Sequence, residues 1–280
     1  MNLFGDSLAE TLRYAGAIMP SLIDGLWITL KLFLLTLVMA VPLGLPLALG
    51  SICRFSPLRW LCKLYIWVFR GTPLMLQLFF FYFFLPIAFE IRLDSFPTAV
   101  ITFVLNYTAY LAEIYRGGIE SIDRGQYEAA QSLGLSRART MFGIIIPQTV
   151  KRVLPPVANE AITLVKDTAL VYVIGVGELM KASKGAVNRD SNVMAYVIAA
   201  VLYLACTFLL TLAARRLEAR FSRYEASALA ESERLAEAKK RRGAKRLGGI
   251  HGLRRRGGPS SAKASADGGE NALDEEKKRR

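Results

Sequence analysis

Between Leu26 and Gly50 the chain carries one charge, Lys31, in 25 residues. A run of that length finds enough apolar surroundings only in a large soluble core or in a bilayer. A helix rises about 1.5 Å per residue, so about 20 residues cross the roughly 30 Å hydrocarbon layer. A second stretch, Ile91 to Ala112, is interrupted only by Arg92 and Asp94 near its start. Length and a hydrophobic content of 53% do not by themselves choose between a soluble and a membrane protein. The distribution does, and it predicts an all-α polytopic membrane protein, because in lipid a helix satisfies its own backbone.

The net charge is +13, but from Arg215 onward 19 Lys/Arg face 10 Asp/Glu, so +9 of it belongs to the C-terminal tail and only +4 to residues 1–214. Cys53, Cys62 and Cys206 are odd in number and lack metal-ligand spacing, so they read as small buried or membrane residues without a disulfide framework. The sole histidine, His251, lies in a Gly/Arg-rich tail. The apolar part therefore offers no histidine-based metal site or catalytic triad, and no catalytic or metal-binding residue is assigned.

Residues 1–20 lack the basic start, apolar run and small-residue site of a cleaved signal peptide. Ser7-Leu8-Ala9-Glu10 is a capping-box pattern, and Leu8, Leu12, Ala15 and Met19 form one stripe, which predicts a short amphipathic helix on the membrane surface. Span one is about Leu26 to Gly50, with Pro42 and Pro46 predicting a kink or an early end. Arg54, Arg59, Lys63 and Arg70 follow, and no acidic residue falls between Leu26 and Phe89. The positive-inside rule places this connection in the cytoplasm and the N-terminus outside.

Span two is about Tyr65 to Phe89, loosened at Gly71-Thr72-Pro73, and span three about Phe96 to Tyr115. Pro155-Pro156 marks the start of span four, about Val157 to Val176, and span five is about Val193 to Ala213. The outer loops are Glu90 to Asp94 and Gly177 to Asn192. In the second, Lys181, Lys184 and Arg189 outnumber Glu178 and Asp190, against the rule. About five spans put the more basic tail inside. Residues 21–222 thus form the membrane domain, and 223–280 a cytoplasmic tail, helical over Tyr224 to Arg242 and then disordered. Its basic blocks have no interleaved aromatic residues, which favours anionic lipid, at ~1 kcal/mol per Lys/Arg, over nucleic acid.

Gln126 to Pro147 is a polar, small-residue stretch between the apolar blocks. Good helix formers run to Leu133, Gly134 suits a helix C-terminus, Ser136 is a candidate N-cap, and Arg137 to Ile145 forms a second helix that Pro147 interrupts. Arg137 and Arg139 beside Ala129 and Ala130 suit this hairpin to the groove of another protein; a plain loop with two surface helices remains the other reading. Span four carries Glu160, Thr163 and Asp167 on one face, with Asn159 and Lys166 on the adjacent strip. Lys166 and Asp167 point about 100° apart, so both are left for a solute, for a partner helix through Asn106 or Glu113, or for a second copy of the chain. Glu113, three residues before Arg116, reads as half of a local ion pair.

The spacing Glu128-Ala129-Ala130, three residues, Gly134, nine residues, Ile144-x-Ile146-Pro147 resembles the EAA loop of ABC importer permeases, with Ile146 where that pattern has Leu. Gly71-Thr72-Pro73-Leu74-x-x-Gln77, Ala109-Tyr110-x-Ala112-Glu113-x-x-Arg116-Gly117-Gly118-Ile119, Asn159-Glu160 and Lys166-Asp167-Thr168 resemble the polar amino-acid branch, the histidine, glutamine and arginine uptake type. The likeness runs from about residue 20 to 216.

The resemblance implies a five-span permease subunit of the bacterial plasma membrane. It pairs with itself or a sibling, with ABC ATPase subunits on the cytoplasmic side and a solute-binding protein outside. On it, Glu128, Ala129, Ala130, Gly134 and Pro147 couple to the ATPase, Asn106, Glu160, Lys166 and Asp167 line the pathway, and the solute is a polar amino acid or a relative such as an opine. The sequence lacks a G-x-x-x-x-G-K-[ST] phosphate loop, so ATP is used by the partner and this chain binds no cofactor. The rival is a stand-alone ion-coupled carrier using Glu160 and Asp167. Five spans without visible inverted repeats, and a hairpin with no duty in such a carrier, weigh against it.

Overall fold

A computed structural model describes residues 8–220, a series of helices with no strand among the described residues. Ser7 of the predicted capping box and the tail 223–280 lie outside the described residues.

The first helix, α1 (Leu8–Ile52), is a single element of 45 residues, about 67 Å long. The surface helix and the first span of the sequence analysis are thus continuous, and Pro20, Pro42 and Pro46 all lie inside the helix, which ends at neither Pro42 nor Pro46. Each proline deletes an amide donor, but one face is held by packing. Ile18, Leu22, Thr29, Leu32, Thr36, Ala40 and Ala48 recur at helical intervals and are all buried. Trp27, Leu34, Val38 and Leu43 face outward, an arrangement that hydrocarbon tolerates and water does not.

The expected second span is broken. Helix α2 (Ser56–Gly71) meets a second arm at 104°. That arm comprises α3 (Leu74–Phe79), a π turn (Phe80–Phe84) and α4 (Leu85–Phe89). Proline crowds the residue before it out of the helical region, and Thr72 accordingly sits at φ −115°, ψ 141°.

Helix α5 (Ser95–Glu120) is the centre of the bundle: Phe103, Tyr107, Leu111 and Ala112 are buried in a cluster shared with Leu32, Ala40, Leu78, Leu164 and Val165. The chain continues through α6 (Arg124–Ser132), α7 (Arg137–Thr140), a second π turn (Met141–Ile145) and α8 (Ile146–Asp167). A 3-10 segment (Thr168–Ile174), α9 (Leu179–Asp190) and α10 (Met194–Arg220) follow.

Both π turns come just before a proline. The Leu85 amide donates to Phe80 O ahead of Pro86, and the Ile146 amide donates to Met141 O ahead of Pro147. In a regular helix the proline ring would press on the carbonyl four residues back and leave it without a donor. A wider turn absorbs the mismatch. Pro147 therefore does not interrupt the second hairpin helix, and Pro155-Pro156 lie inside α8 rather than at its start.

By length and composition α1 and α10 each qualify as a membrane span, and the bent pair makes a third if it is counted as one. Helices α5 and α8, about 39 and about 33 Å long, have the length to cross but carry polar side chains on their inner faces. The second outer loop of the sequence analysis contains α9. Glu178 caps it, its carboxylate accepting from the Met180 and Lys181 amides at 2.7 Å each. Glutamate is an unusual cap, so no local start signal marks this helix.

Candidate functional site

Pro73 leaves the carbonyl of Phe69 without its usual helical donor, and two side-chain amides supply one. Gln77 Nε2 donates to Phe69 O at 2.9 Å and Asn106 Nδ2 at 3.1 Å. Asn106 Nδ2 also reaches Gln77 Oε1 at 3.0 Å, while Gln77 Nε2 lies 2.7 Å from Thr72 Oγ1. A break in a helix is thus braced from α3 and α5, and the irregular backbone at 71–73 becomes the wall of a cavity of about 380 Å³.

The opposite wall is α8, which turns Glu160, Thr163 and Asp167 inward, the polar stripe of the sequence analysis. Asn106, Glu160 and Asp167 are brought together here. Lys166, one position from Asp167, is exposed and does not line the cavity. Tyr107 OH donates to Asp167 Oδ2 at 2.7 Å and fixes that carboxylate.

Arg70 lines the same space, its guanidinium 5.4 Å from the Tyr110 ring centre and 3.5 Å from Glu113 Oε1. Glu113 makes its closer pair with Arg116, at 2.6 Å, the local ion pair expected from their spacing. Arg70, Tyr107 and Tyr110 were not singled out as site residues by sequence reasoning. Tyr107 follows Asn106 and Tyr110 lies one turn on, but nothing local signals that the two rings turn toward α8.

The hairpin is built as its residues direct. Asp123 caps α6, accepting from the Gly125 amide. At the other end Gly134 takes φ 70°, its amide donating to Gln131 O at 2.9 Å and the Leu135 amide donating to Ala130 O at 3.0 Å, the paired bonds of a Schellman cap. Ser136 Oγ then accepts from the Arg139 amide at 3.3 Å. Glu128, Ala129, Gly134 and Pro147 are exposed, whereas Ala130 is buried. Leu133 and Phe142 stand out with relative exposures of 77% and 61%.

A third polar cluster joins α9 to the bundle. The fully buried Glu178 accepts from Tyr203 OH at 2.8 Å, and the Leu179 amide donates to Thr29 Oγ1 at 3.3 Å. The excess basic residues of α9 are engaged locally. Lys181 Nζ donates to Gly175 O, Lys184 lies 4.8 Å from the Tyr172 ring centre, and Arg189 pairs with Asp190 at 2.7 Å. The Arg189 guanidinium holds the Asp190 carboxyl below its usual range.

Residues 40–223 match the family described as the binding-protein-dependent transport system inner membrane component. The chain belongs to this family. It is an integral inner-membrane transport component, not an enzyme, and the ATP chemistry of such systems belongs to a separate subunit. Among similar proteins, the L-cystine transport system permease protein TcyB of Bacillus subtilis is 40% identical over 74% of this chain and 89% of its own length. The arginine transport system permease protein ArtQ of the same organism is 39% identical over 71% and 91%. The glutamine transport system permease protein GlnP of Escherichia coli is 38% identical over 72% and 93%. The fold matches the crystal structure of an amino acid ABC transporter with histidines, with a TM-score of 0.71 and 34% identity over 78% of this chain and all of that one. It also matches the inward-facing MetNI methionine ABC transporter, with a TM-score of 0.62 and 18% identity over 73% and 98%, a likeness of fold alone. Nothing in the fold or in these relatives supports the stand-alone carrier.

Proposed function

We propose that this permease carries a polar amino acid or a close relative such as an opine, and that the cavity between the helix break and α8 is part of the solute's path. One observation carries the reading. Two carboxylates, Glu160 and Asp167, and one guanidinium, Arg70, line a single space of about 380 Å³ together with two tyrosines. Both signs of charge are present for the ammonium and carboxylate of an amino acid, and the volume lies within the range of about 300–1,000 Å³ usual for small-molecule sites. The names of the three relatives, for cystine, arginine and glutamine, support the solute class. Irregular backbone at membrane depth is tolerated where it lines such a polar space. Asn106 serves the path by bracing that backbone, and Lys166, outside the cavity, joins it where a second permease subunit, identical or sibling, closes the pathway.

In this reading Glu128, Ala129, Ala130, Gly134 and Pro147 couple to an ABC ATPase, with Ala130 shaping the hairpin from inside and exposed Leu133 and Phe142 as apolar anchors. ATP is bound by that partner alone, and a solute-binding protein docks on the opposite side. Five spans place the N-terminus outside and the hairpin and tail in the cytoplasm, as the basic residues Arg54, Arg59, Lys63, Arg116 and Arg124 favour.

Mass spectrometry of the proteins that copurify with the chain in mild detergent tests this. A stoichiometric phosphate-loop ATPase that is lost, together with uptake, on Gly134→Asp is expected. An inserted Gly134→Asp protein with undiminished ATP-driven uptake refutes the coupling role.

A further inference from the structure

A second cavity, of about 660 Å³, lies between the end of α1 and the hairpin. Its wall is apolar where Leu49, Ile52, Leu135 and Met141 line it, and it carries two arginines, Arg54 and Arg137. No carboxylate lines it. Neither guanidinium makes an ion pair or hydrogen bond with another described residue. Arg59, by contrast, is committed to the local turn, Nη1 donating to Cys53 O at 3.2 Å. Two exposed guanidinium groups thus face one space with no counter-charge among the described residues that line it.

The level of the cavity is marked by its neighbours. The apolar run of α1 stops at Ile52, and Phe55 and Trp60, 66% and 65% exposed, follow directly. Exposed aromatic rings just past the end of a span are the signature of the headgroup layer. The floor is firm, because Leu49, Ile52, Tyr127 and Met141 pack on the buried Ile119, Ile122 and Ile145.

We propose that this cavity binds a phosphate-bearing anion, held by Arg54 and Arg137, and that the anion is the headgroup of an acidic phospholipid. Guanidinium matches phosphate geometry, and the apolar wall suits the first carbons of an acyl chain, which a free ion does not need. The bound lipid bridges the end of α1 and the hairpin and thus sets how the hairpin is presented. The proposal needs only that the chain lies in a membrane, so it can fail while the transport reading stands.

The test uses the full chain with its copurifying partners in nanodiscs of phosphatidylcholine, with and without phosphatidylglycerol, followed by native mass spectrometry. Wild type is expected to retain phosphatidylglycerol in preference to phosphatidylcholine. Retention should be about 30-fold weaker in the Arg54→Gln/Arg137→Gln double variant, from ~1 kcal/mol per arginine, and largely restored in Arg54→Lys/Arg137→Lys. Should the double variant fail to assemble, the single variants Arg54→Gln and Arg137→Gln decide, each expected to retain phosphatidylglycerol about 5-fold more weakly than wild type. Inorganic phosphate that displaces phosphatidylglycerol from wild type, and stabilises wild type but not the double variant, supports the same anion site with a free ion as its source. Equal retention of the two lipids by wild type overturns the proposal, as does equal retention by wild type and double variant. Loss of an ATPase subunit from the double variant with lipid retention unchanged assigns the arginines to a protein contact and also overturns it.

Discussion

Gly117 and Gly118 are neighbours in α5, and alanine at the two positions should have opposite effects. A Cβ at Gly118 would stand 2.2 Å from Val153 Cγ1 and 3.0 Å from Thr149 Cγ2, whereas a Cβ at Gly117 meets nothing within 4 Å. Carbon atoms settle about 3.5–4.0 Å apart, so α5 and α8 must separate by more than about 1 Å or Val153 must turn. Val153 is 6% exposed, and Thr149 is anchored by its hydroxyl to Ile145 O at 2.9 Å. Overpacking of this kind costs about 1–3 kcal/mol, against a gain of up to about 1 kcal/mol for replacing a helical glycine. A net loss of ~1–2 kcal/mol remains for Gly118→Ala. At about 2–4 °C per kcal/mol, thermal unfolding of the purified subunit in one detergent should fall by about 2–8 °C. Gly117→Ala should match wild type or exceed it. Adding Val153→Ala to Gly118→Ala should lower stability by less than the two single changes summed, since it removes the clashing methyl. Equal unfolding temperatures for the two alanine variants would refute the packing of α5 on α8.

Three further outcomes are expected. Gln77→Ala removes one of the two amides that donate to Phe69 O, and the donor to Thr72, which should cost about 0.5–1.5 kcal/mol and speed proteolysis near residues 69–74; an unchanged cleavage pattern would dismiss the brace. Asp167→Asn should lower solute uptake, or change ligand-stimulated ATPase activity, in a protein that still inserts, and no change in either would leave Asp167 a merely structural partner of Tyr107. Glu178→Ala deletes a helix cap and the charged acceptor of Tyr203 OH, for a combined loss of about 2–4 kcal/mol; Lys181→Ala, at an exposed contact, should unfold near wild type, and an equal drop in both variants would count against the buried cluster.

Periodicity and local caps were legible in the sequence, because both are set within one or two turns. The Glu160, Thr163, Asp167 face follows from three- and four-residue spacing, and the Gly134 cap and Ser136 N-cap follow from residue chemistry that acts over four or five positions. Proline was the main source of error. Read locally, it stops a helix, yet Pro42, Pro46, Pro147, Pro155 and Pro156 all lie within continuous helix. What decides is whether a packed face or a π turn compensates the missing donor, and such partners are set by the tertiary fold. At Pro73 the orphaned Phe69 carbonyl is instead met by two side-chain amides, Gln77 and Asn106, the latter 37 positions away, and there the helix breaks. Glu178 was invisible for the same reason, since its worth depends on Tyr203, 25 positions on.

The continuity through Pro147 changes how the hairpin and the cavity relate. From Arg137 to Asp167 the chain is helical without a break, through α7, the π turn and α8, a rod of about 46 Å. One end carries the exposed hairpin surface and the other carries Glu160 and Asp167. Had Pro147 ended the helix, a flexible joint would separate the two, and movement at the hairpin would dissipate there. The π turn keeps the rod connected and is also its least regular point, so it is where a load on the hairpin is either passed on or absorbed. Its inner side is fixed, because Ile145 is fully buried with Ile119 and Ile122. On the coupling role proposed above, a push on α7 is expected to displace α8 against α5, and across that contact Tyr107 holds Asp167.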